Sequence, residues 1–119
     1  MKRGKQIACI MVTYNRLVIL QENLKFIQDQ ETKPEFILVV NNGSSDMTKE
    51  FLDSQVLLIH SVHLPENLGF GAGLEAGIEY ARSQWEVDYF WLMDDDSFPN
   101  SKVLARLSEE AKKIQLKGI

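Results

Sequence analysis

Three consecutive aspartates, Asp94, Asp95 and Asp96, follow the apolar run Tyr89, Phe90, Trp91, Leu92, Met93 without a spacer. Two carboxylates about 5 Å apart repel by roughly 3 kcal/mol at an effective dielectric near 20, so the cluster requires strong solvation, a shared proton or a cation. In an extended chain alternate side chains share a face, which puts Asp94 and Asp96 on one side, Cα atoms roughly 6.5 Å apart, and Asp95 on the other. Hard oxygen donors so disposed select Mg²⁺ or Mn²⁺ in an octahedral shell completed by water and substrate phosphates. Such an ion neutralises charge that develops on a departing diphosphate. The competing assignment is a solvated turn in which an aspartate caps the next helix; the place of the cluster after a buried strand favours the metal.

Two further polar clusters interrupt apolar runs: Thr13, Tyr14, Asn15, Arg16 and Asn41, Asn42, Gly43, Ser44. A side-chain amide both donates and accepts hydrogen bonds and so suits a nucleobase edge, although Asn-Gly is also an ordinary turn. Tyr14 offers a ring on which a base can stack, or a packing contact. Residues 66–77 carry Gly69, Gly71, Gly73 and Gly77. These glycines allow close approach of a diphosphate or tight helix packing. The segment does not follow a strand directly, and no acidic residue stands at the distance a dinucleotide fingerprint needs. We therefore assign Gly73 and Gly77 to packing, and Asn67 and Gly69 to the ligand side. His60 and His63 lack the cysteine or carboxylate pattern of a zinc site and are read as structural or solvent-facing. Neither a nucleophile elbow nor a P-loop is present. The single cysteine, Cys9, lies in an apolar run, which makes it a buried thiol and fits a reducing compartment.

The elements that must position these clusters follow from periodicity. Four short apolar runs are each succeeded by a segment of helical period, with no hairpin link between them, which is the pattern of βαβ units. Strands are expected over residues 7–13, 36–40, 56–61 and 89–93. Leu17, Leu20, Leu24 and Ile27 mark a first helix, residues 48–54 a short second one, and Phe70, Leu74, Ile78 and Ala81 a third starting near Gly69. Val103, Leu104, Leu107, Ala111 and Ile114 mark a last helix with a charged outer face. The fold class is α/β, a three-layer, doubly wound and mostly parallel sheet. Its right-handed crossovers bring all three polar clusters to the carboxyl edge, where ligands of such sheets bind.

The 119 residues, 45% hydrophobic and 25% charged, suffice for one core and one domain. A net charge of -4 disfavours a long nucleic acid as partner. The basic start at Lys2, Arg3 and Lys5 followed by apolar residues is superficially like a signal peptide. Its apolar run, residues 7–12, is short and breaks without a small-residue cleavage pattern. No other segment is long enough to span a bilayer, and a cytoplasmic protein is expected.

In order and spacing, "VTYNR" (12–16), "NNGSSDMT" (41–48), "NLGFGAGLEAG" (67–77) and "DDD" (94–96) resemble the amino-terminal, nucleotide-sugar part of family 2 glycosyltransferases over residues 6–107. The form of the aspartate motif looks most like rhamnosyl- and galactofuranosyl-transferring members. The resemblance implies a GT-A fold and an inverting transfer of sugar from a UDP- or dTDP-linked donor to a hydroxyl of a glycan or lipid-linked acceptor. It makes Thr13, Tyr14 and Asn42 nucleoside contacts, with Asn15, Gly43, Asn67 and Gly69 beside them. Asp94 and Asp96 become the D-x-D site for Mg²⁺ or Mn²⁺ and diphosphate, and Asp95 a support for ribose or sugar. Two departures stand out: Asn41 and Asn42 replace the commoner aspartate pair, and Arg16 replaces an acidic residue, so its contact is not carried over.

The family's catalytic base and acceptor site lie well after the D-x-D motif, whereas Glu109 and Glu110 read as solvated helix surface. No catalytic residue is assigned within 1–119, and a donor-binding part truncated after the motif is expected. Peripheral association with the inner face of a membrane fits a lipid-linked acceptor, and the run 89–93, left as an open edge, is expected to drive self-association. A metal-dependent nucleotidyltransferase is the competing enzyme, although its Gly-rich basic loop after the first strand is missing. A non-enzymatic α/β interaction module is the competing binding protein.

Overall fold

The computed structural model describes the backbone of residues 6–116 and side chains as far as Ala111. The basic start at Lys2, Arg3 and Lys5 and the side chain of Ile114 lie outside the described residues. Four strands, β1 (Ile7–Thr13), β2 (Phe36–Asn42), β3 (His60–Leu64) and β4 (Tyr89–Asp94), alternate with helices α1 (Leu17–Gln28), α2 (Thr48–Asp53), α3 (Phe70–Gln84) and α4 (Val103–Leu116). They form one sheet in the order β3-β2-β1-β4. Every pairing in it is parallel.

The continuous apolar character of β1 has a direct cause: all seven of its residues are buried, because both faces of the sheet are covered. Cys9 and Met11 point to one face, where Leu20, Leu24 and Ile27 of α1 and Leu52 of α2 close the core. Ile10 and Val12 point to the other, with Leu38, Val40 and Ala81 of α3. The sheet between these two helical layers gives the three-layer arrangement. Burial raises the pKa of the Cys9 thiol strongly, in keeping with an inert core position. No helix among the described residues is long and apolar enough to cross a membrane.

One detail of the expected organisation is corrected here. The third strand is not residues 56–61 but His60–Leu64. Reverse turns after α2 use the backbone of this stretch first, with Gln55 N–H donating to Leu52 O and Leu58 and Ile59 N–H both to Gln55 O. The apolar run is divided accordingly: Ile59 is buried, while Val56, Leu57 and Leu58 face solvent. The shift sets Leu64 opposite Asn42 and so delivers residues 65–69 to the carboxyl edge. The helix α3 starts where expected and packs through the two glycines assigned to packing. Its innermost row is Gly73, Gly77 and Ala81, while Leu74 and Ile78 pack half-buried beside it and Phe70 is exposed.

That glycine row lets α3 lie close on the sheet. A Cβ on Gly77 would stand 2.8 Å from Cγ2 of both Ile10 and Val40. Both are β-branched and stiff at χ1, so neither yields easily. Gly77→Ala gains about 1 kcal/mol of helix propensity and incurs about 1–3 kcal/mol of overpacking. We expect a net loss of about 1 kcal/mol in urea unfolding, and an unchanged or raised stability would refute the packing role.

Candidate functional site

The strands end level at the carboxyl edge, where Val12 pairs with Asp94, Thr13 with Asn41 and Asn42 with Leu64. β2 and β4 run beyond their expected ends to Asn42 and Asp94, which makes these polar residues part of the strands. Above this edge opens a cleft of about 440 Å³.

One wall is acidic. The strand ends at Asp94 and residues 95–96 form a turn, so the expected strand alternation does not extend past Asp94, and all three aspartates line the same cleft. Asp95 is the buried one, 4% exposed. Its Oδ2 accepts from Thr13 Oγ1 at 2.9 Å, and its Oδ1 pairs with Arg16 Nη1 at 3.2 Å. Burial pushes the Asp95 carboxyl above the usual range, and the Thr13 hydrogen bond and the Arg16 charge offset this only in part. Arg16 reaches on to Asp96 Oδ2 with Nη2 at 3.1 Å. The hydrogen bond to Asp96 and the charge of Asp95 hold the guanidinium still more firmly protonated than usual.

The opposite wall is residues 67–70. Asn42, almost fully buried, donates from Nδ2 to Gly69 O and accepts at Oδ1 from Leu68 N–H, both at 3.0 Å. Its amide is thereby committed to shaping this loop. Asn67 Oδ1 accepts from Gly69 N–H at 2.9 Å, and Asn67, Gly69 and Phe70 face the cleft, so the amino end of α3 adjoins it. Exposed backbone amides and the helix dipole there favour an anion. Tyr14, 43% exposed, lines the cleft between the walls and leaves a ring available for stacking.

Asn15 and Gly43 stand behind the walls and do not line the cleft. Asn15, with φ of 50°, accepts at Oδ1 from Ser45 and Asp46 N–H, and its own N–H donates to Ser44 Oγ, which ties the β1 loop to the β2 loop. Gly43, with φ of 77°, passes directly beneath the backbone of Glu66 and Asn67. His63 sits one layer further out. It takes a hydrogen bond at Nδ1 from the Asn41 amide and donates from Nε2 to Asp53 Oδ1. His60 packs edge-on against Trp85, far from any such role.

Reading the sequence left out Arg16 and Phe70, which line the cleft, and Asn23, which holds it. Asn23 of α1 is fully buried and donates from Nδ2 to Asp94 O at 3.2 Å, while its Oδ1 accepts from Phe98 N–H at 2.8 Å. Gln30, also buried, does the same further along, donating to Pro99 and Asn100 carbonyls and accepting from Leu104 N–H. The signal was present: Asn23 and Gln30 fall on the inward stripe of Leu20, Leu24 and Ile27, where a polar residue needs a partner.

Among the described residues no three His, Cys, Asp or Glu side chains are grouped so as to hold an ion by themselves. Asp94 and Asp96 are exposed carboxylates on one cleft. This donor set fits an ion of the Mg²⁺ kind, which takes one or two carboxylates and completes its shell with water and phosphate oxygens.

Comparison with known proteins agrees with this fold. The solved structures of S. aureus TarS 1-349 in complex with UDP-GlcNAc superpose with a TM-score of 0.76 at 21% identity, over 91% of this chain and 31% of that one. Mannosyltransferase PcManGT from Pyrobaculum calidifontis, in complex with GDP-Man and Mn²⁺, matches with a TM-score of 0.68 at 23% identity, over 84% of this chain and 30% of that one. Galactofuranosyltransferase GlfT1 of Mycolicibacterium smegmatis is 28% identical over 108 residues, 90% of this chain and 35% of the relative. The uncharacterized glycosyltransferase YwdF of Bacillus subtilis is 30% identical over 105 residues, 88% of this chain and 38% of the relative. The chain thus spans about a third of the length of these relatives. The nucleotidyltransferase and interaction-module alternatives draw no support from these likenesses. With the profile of "Glycosyl transferase family 2" matching residues 8–119, nearly the whole sequence, the parallel sheet and its cleft place the chain in that family.

Proposed function

We propose that the cleft binds the nucleotide-sugar donor of an inverting glycosyltransferase, with the nucleotide UDP or dTDP. The observation that carries this reading is the pairing of an acidic wall with a helix amino end across one cleft, with Tyr14 between them. A nucleoside diphosphate needs each of these: a stacking ring, amide donors for phosphate, and carboxylates for a counter-cation. The nucleotide sugars bound by TarS and PcManGT support it.

In this proposal Thr13, Tyr14, Asn67 and Gly69 contact the nucleotide, while Asn15, Asn42 and Gly43 set the loops that do so. Asp94 and Asp96 hold Mg²⁺ or Mn²⁺, which when bound neutralises negative charge on the departing diphosphate. Asp95, whose oxygens engage Thr13 and Arg16, supports the ribose or sugar through the loop it holds in register. The acceptor site and the base that deprotonates the acceptor hydroxyl are proposed to belong to the length of the relatives that this chain does not span. We further propose a glycan or lipid-linked acceptor, a cytoplasmic location at the inner membrane face, and self-association through β4, an edge strand of the sheet.

Thermal unfolding with UDP or dTDP, in Mn²⁺ or in EDTA, tests the donor site. At 100 times its Kd a nucleotide stabilises the fold by about 2.7 kcal/mol. A shift is expected with Mn²⁺ and not with EDTA, and Asp96→Asn is expected to abolish it. If neither nucleotide stabilises the wild-type chain in Mn²⁺, the donor-site reading is wrong.

A further inference from the structure

Arg16 occupies the acidic wall in a way that a supporting residue does not require. One arm, Nη1, is on Asp95 Oδ1 at 3.2 Å; the other, Nη2, is on Asp96 Oδ2 at 3.1 Å. The two partners differ in kind. The Asp95 side chain is 5% exposed and its second oxygen is already taken by Thr13, whereas the Asp96 side chain is 46% exposed. Removing the partner of a buried carboxylate is costly, while an exposed ion pair is weak and easily exchanged. The first arm is therefore an anchor and the second is exchangeable.

The exchangeable arm holds the same carboxylate that the donor-site reading gives to the divalent cation. A guanidinium and a cation compete for Asp96, and the arm that is released still faces the cleft, because Arg16 lines it between Tyr14 and the aspartates. A guanidinium presents donors in a planar fork that matches phosphate oxygens.

We infer that Arg16 is a resident cation of the acidic wall: it holds Asp96 while the cleft is empty, and transfers its Nη2 arm to a diphosphate oxygen when cation and nucleotide arrive together. Arg16 is then a determinant of diphosphate recognition and couples the two ligands. Cation alone is opposed by the guanidinium, and cation with nucleotide gives the displaced arm a new partner. Such coupling is reciprocal, so UDP raises Mn²⁺ affinity by the factor by which Mn²⁺ raises UDP affinity. The inference rests on the donor-site reading.

The test is Mn²⁺ binding followed by electron paramagnetic resonance, with and without UDP, together with UDP titration calorimetry at saturating Mn²⁺. It uses the wild-type chain, Arg16→Gln and Arg16→Lys. Arg16→Gln keeps a hydrogen-bond donor beside Asp95 and removes the charge. It is expected to bind Mn²⁺ alone about five- to tenfold more tightly than wild type, and UDP with Mn²⁺ about tenfold more weakly. Arg16→Lys keeps the charge against Asp95, guarding the fold if the glutamine variant unfolds, and loses the second arm. It is expected to move both affinities in the same opposed directions by about threefold.

A merely structural Arg16 lowers both affinities together or leaves both unchanged, and any result other than opposed shifts overturns the inference. Failure of the wild-type chain to bind UDP in Mn²⁺ overturns the donor-site reading itself, and is recognised before either variant is measured.

Discussion

Replacing Asn23 by alanine is expected to remove about 3 kcal/mol of stability and to loosen the aspartate loop, although the residue lies on α1 beneath the cleft and lines none of it. Three losses add. Phe98 N–H forfeits its acceptor, at about 1–3 kcal/mol if it is left unsatisfied, and Asp94 C=O loses one of two donors, keeping Ser97 Oγ. A small cavity opens against Met11 and Met93, whose sulfurs stand 3.9 Å from Asn23 Nδ2. The backbone it grips is also strained, since Phe98 has φ of 46°, a conformation rare for a bulky side chain. For a domain stable by about 5–15 kcal/mol the loss is a large fraction. Urea unfolding measures it, and amide exchange at Phe98 locates it. A cost below about 1 kcal/mol, or unchanged protection at Phe98, would show that the loop holds itself.

Gly43→Ala is the second large effect, about 3 kcal/mol or more, and Gly69→Ala is its internal control. Both glycines have left-handed backbone, with φ of 77° and 90°. An alanine incurs roughly 1–3 kcal/mol at either place from conformation alone. They differ in what a methyl meets: at Gly69 nothing lies within 4 Å, whereas at Gly43 it would stand 2.4 Å from the carbonyl carbon of Glu66 and 2.6 Å from Asn67 N. Backbone does not move aside as a side-chain end does, so Gly43→Ala must push residues 66–69 out of place. That loop forms the wall opposite the aspartates, so the nucleotide-dependent thermal shift is expected to fall in Gly43→Ala; Gly69, which itself lines the cleft, serves as the control for stability alone. Equal destabilisation by the two substitutions would mean that conformation, and not the crossing of the two loops, accounts for the glycine.

These two positions mark the boundary of what the sequence made legible. The buried strands were readable because a chain covered on both faces must be apolar throughout, as in β1, and the three polar clusters were readable because they interrupt such runs at strand ends. β3 was misplaced for a physical reason: Val56, Leu57 and Leu58 look like a strand in composition, yet local turns after α2 claim their backbone before the sheet can. The divided roles within the site were also hidden. Asn42 and Gly43 are both read as ligand contacts; in the fold Asn42 lines the cleft and its amide also holds the neighbouring loop, while Gly43 makes room for that loop. Arg16 was set aside because a motif gave it no role, although its partners lie about eighty residues away.

The order of the strands also bears on how the chain is made. β1 sits between β2 and β4, and its pairing with β4 closes a loop of about eighty residues, as does the hydrogen bond from Thr13 to Asp95. Contacts of such high order are slow to form, because the entropy of closing the loop precedes any gain. During vectorial synthesis the last residue of β3, Leu64, is made thirty residues before the last residue of β4, Asp94. At about 5–20 residues per second this leaves the open edge of β1 unpaired for roughly 2–6 s. Over that interval the nascent sheet exposes an apolar strand edge to any neighbour, and the wall formed by residues 67–70 exists without its acidic counterpart. The two walls of the cleft thus come together only when β4 pairs with β1.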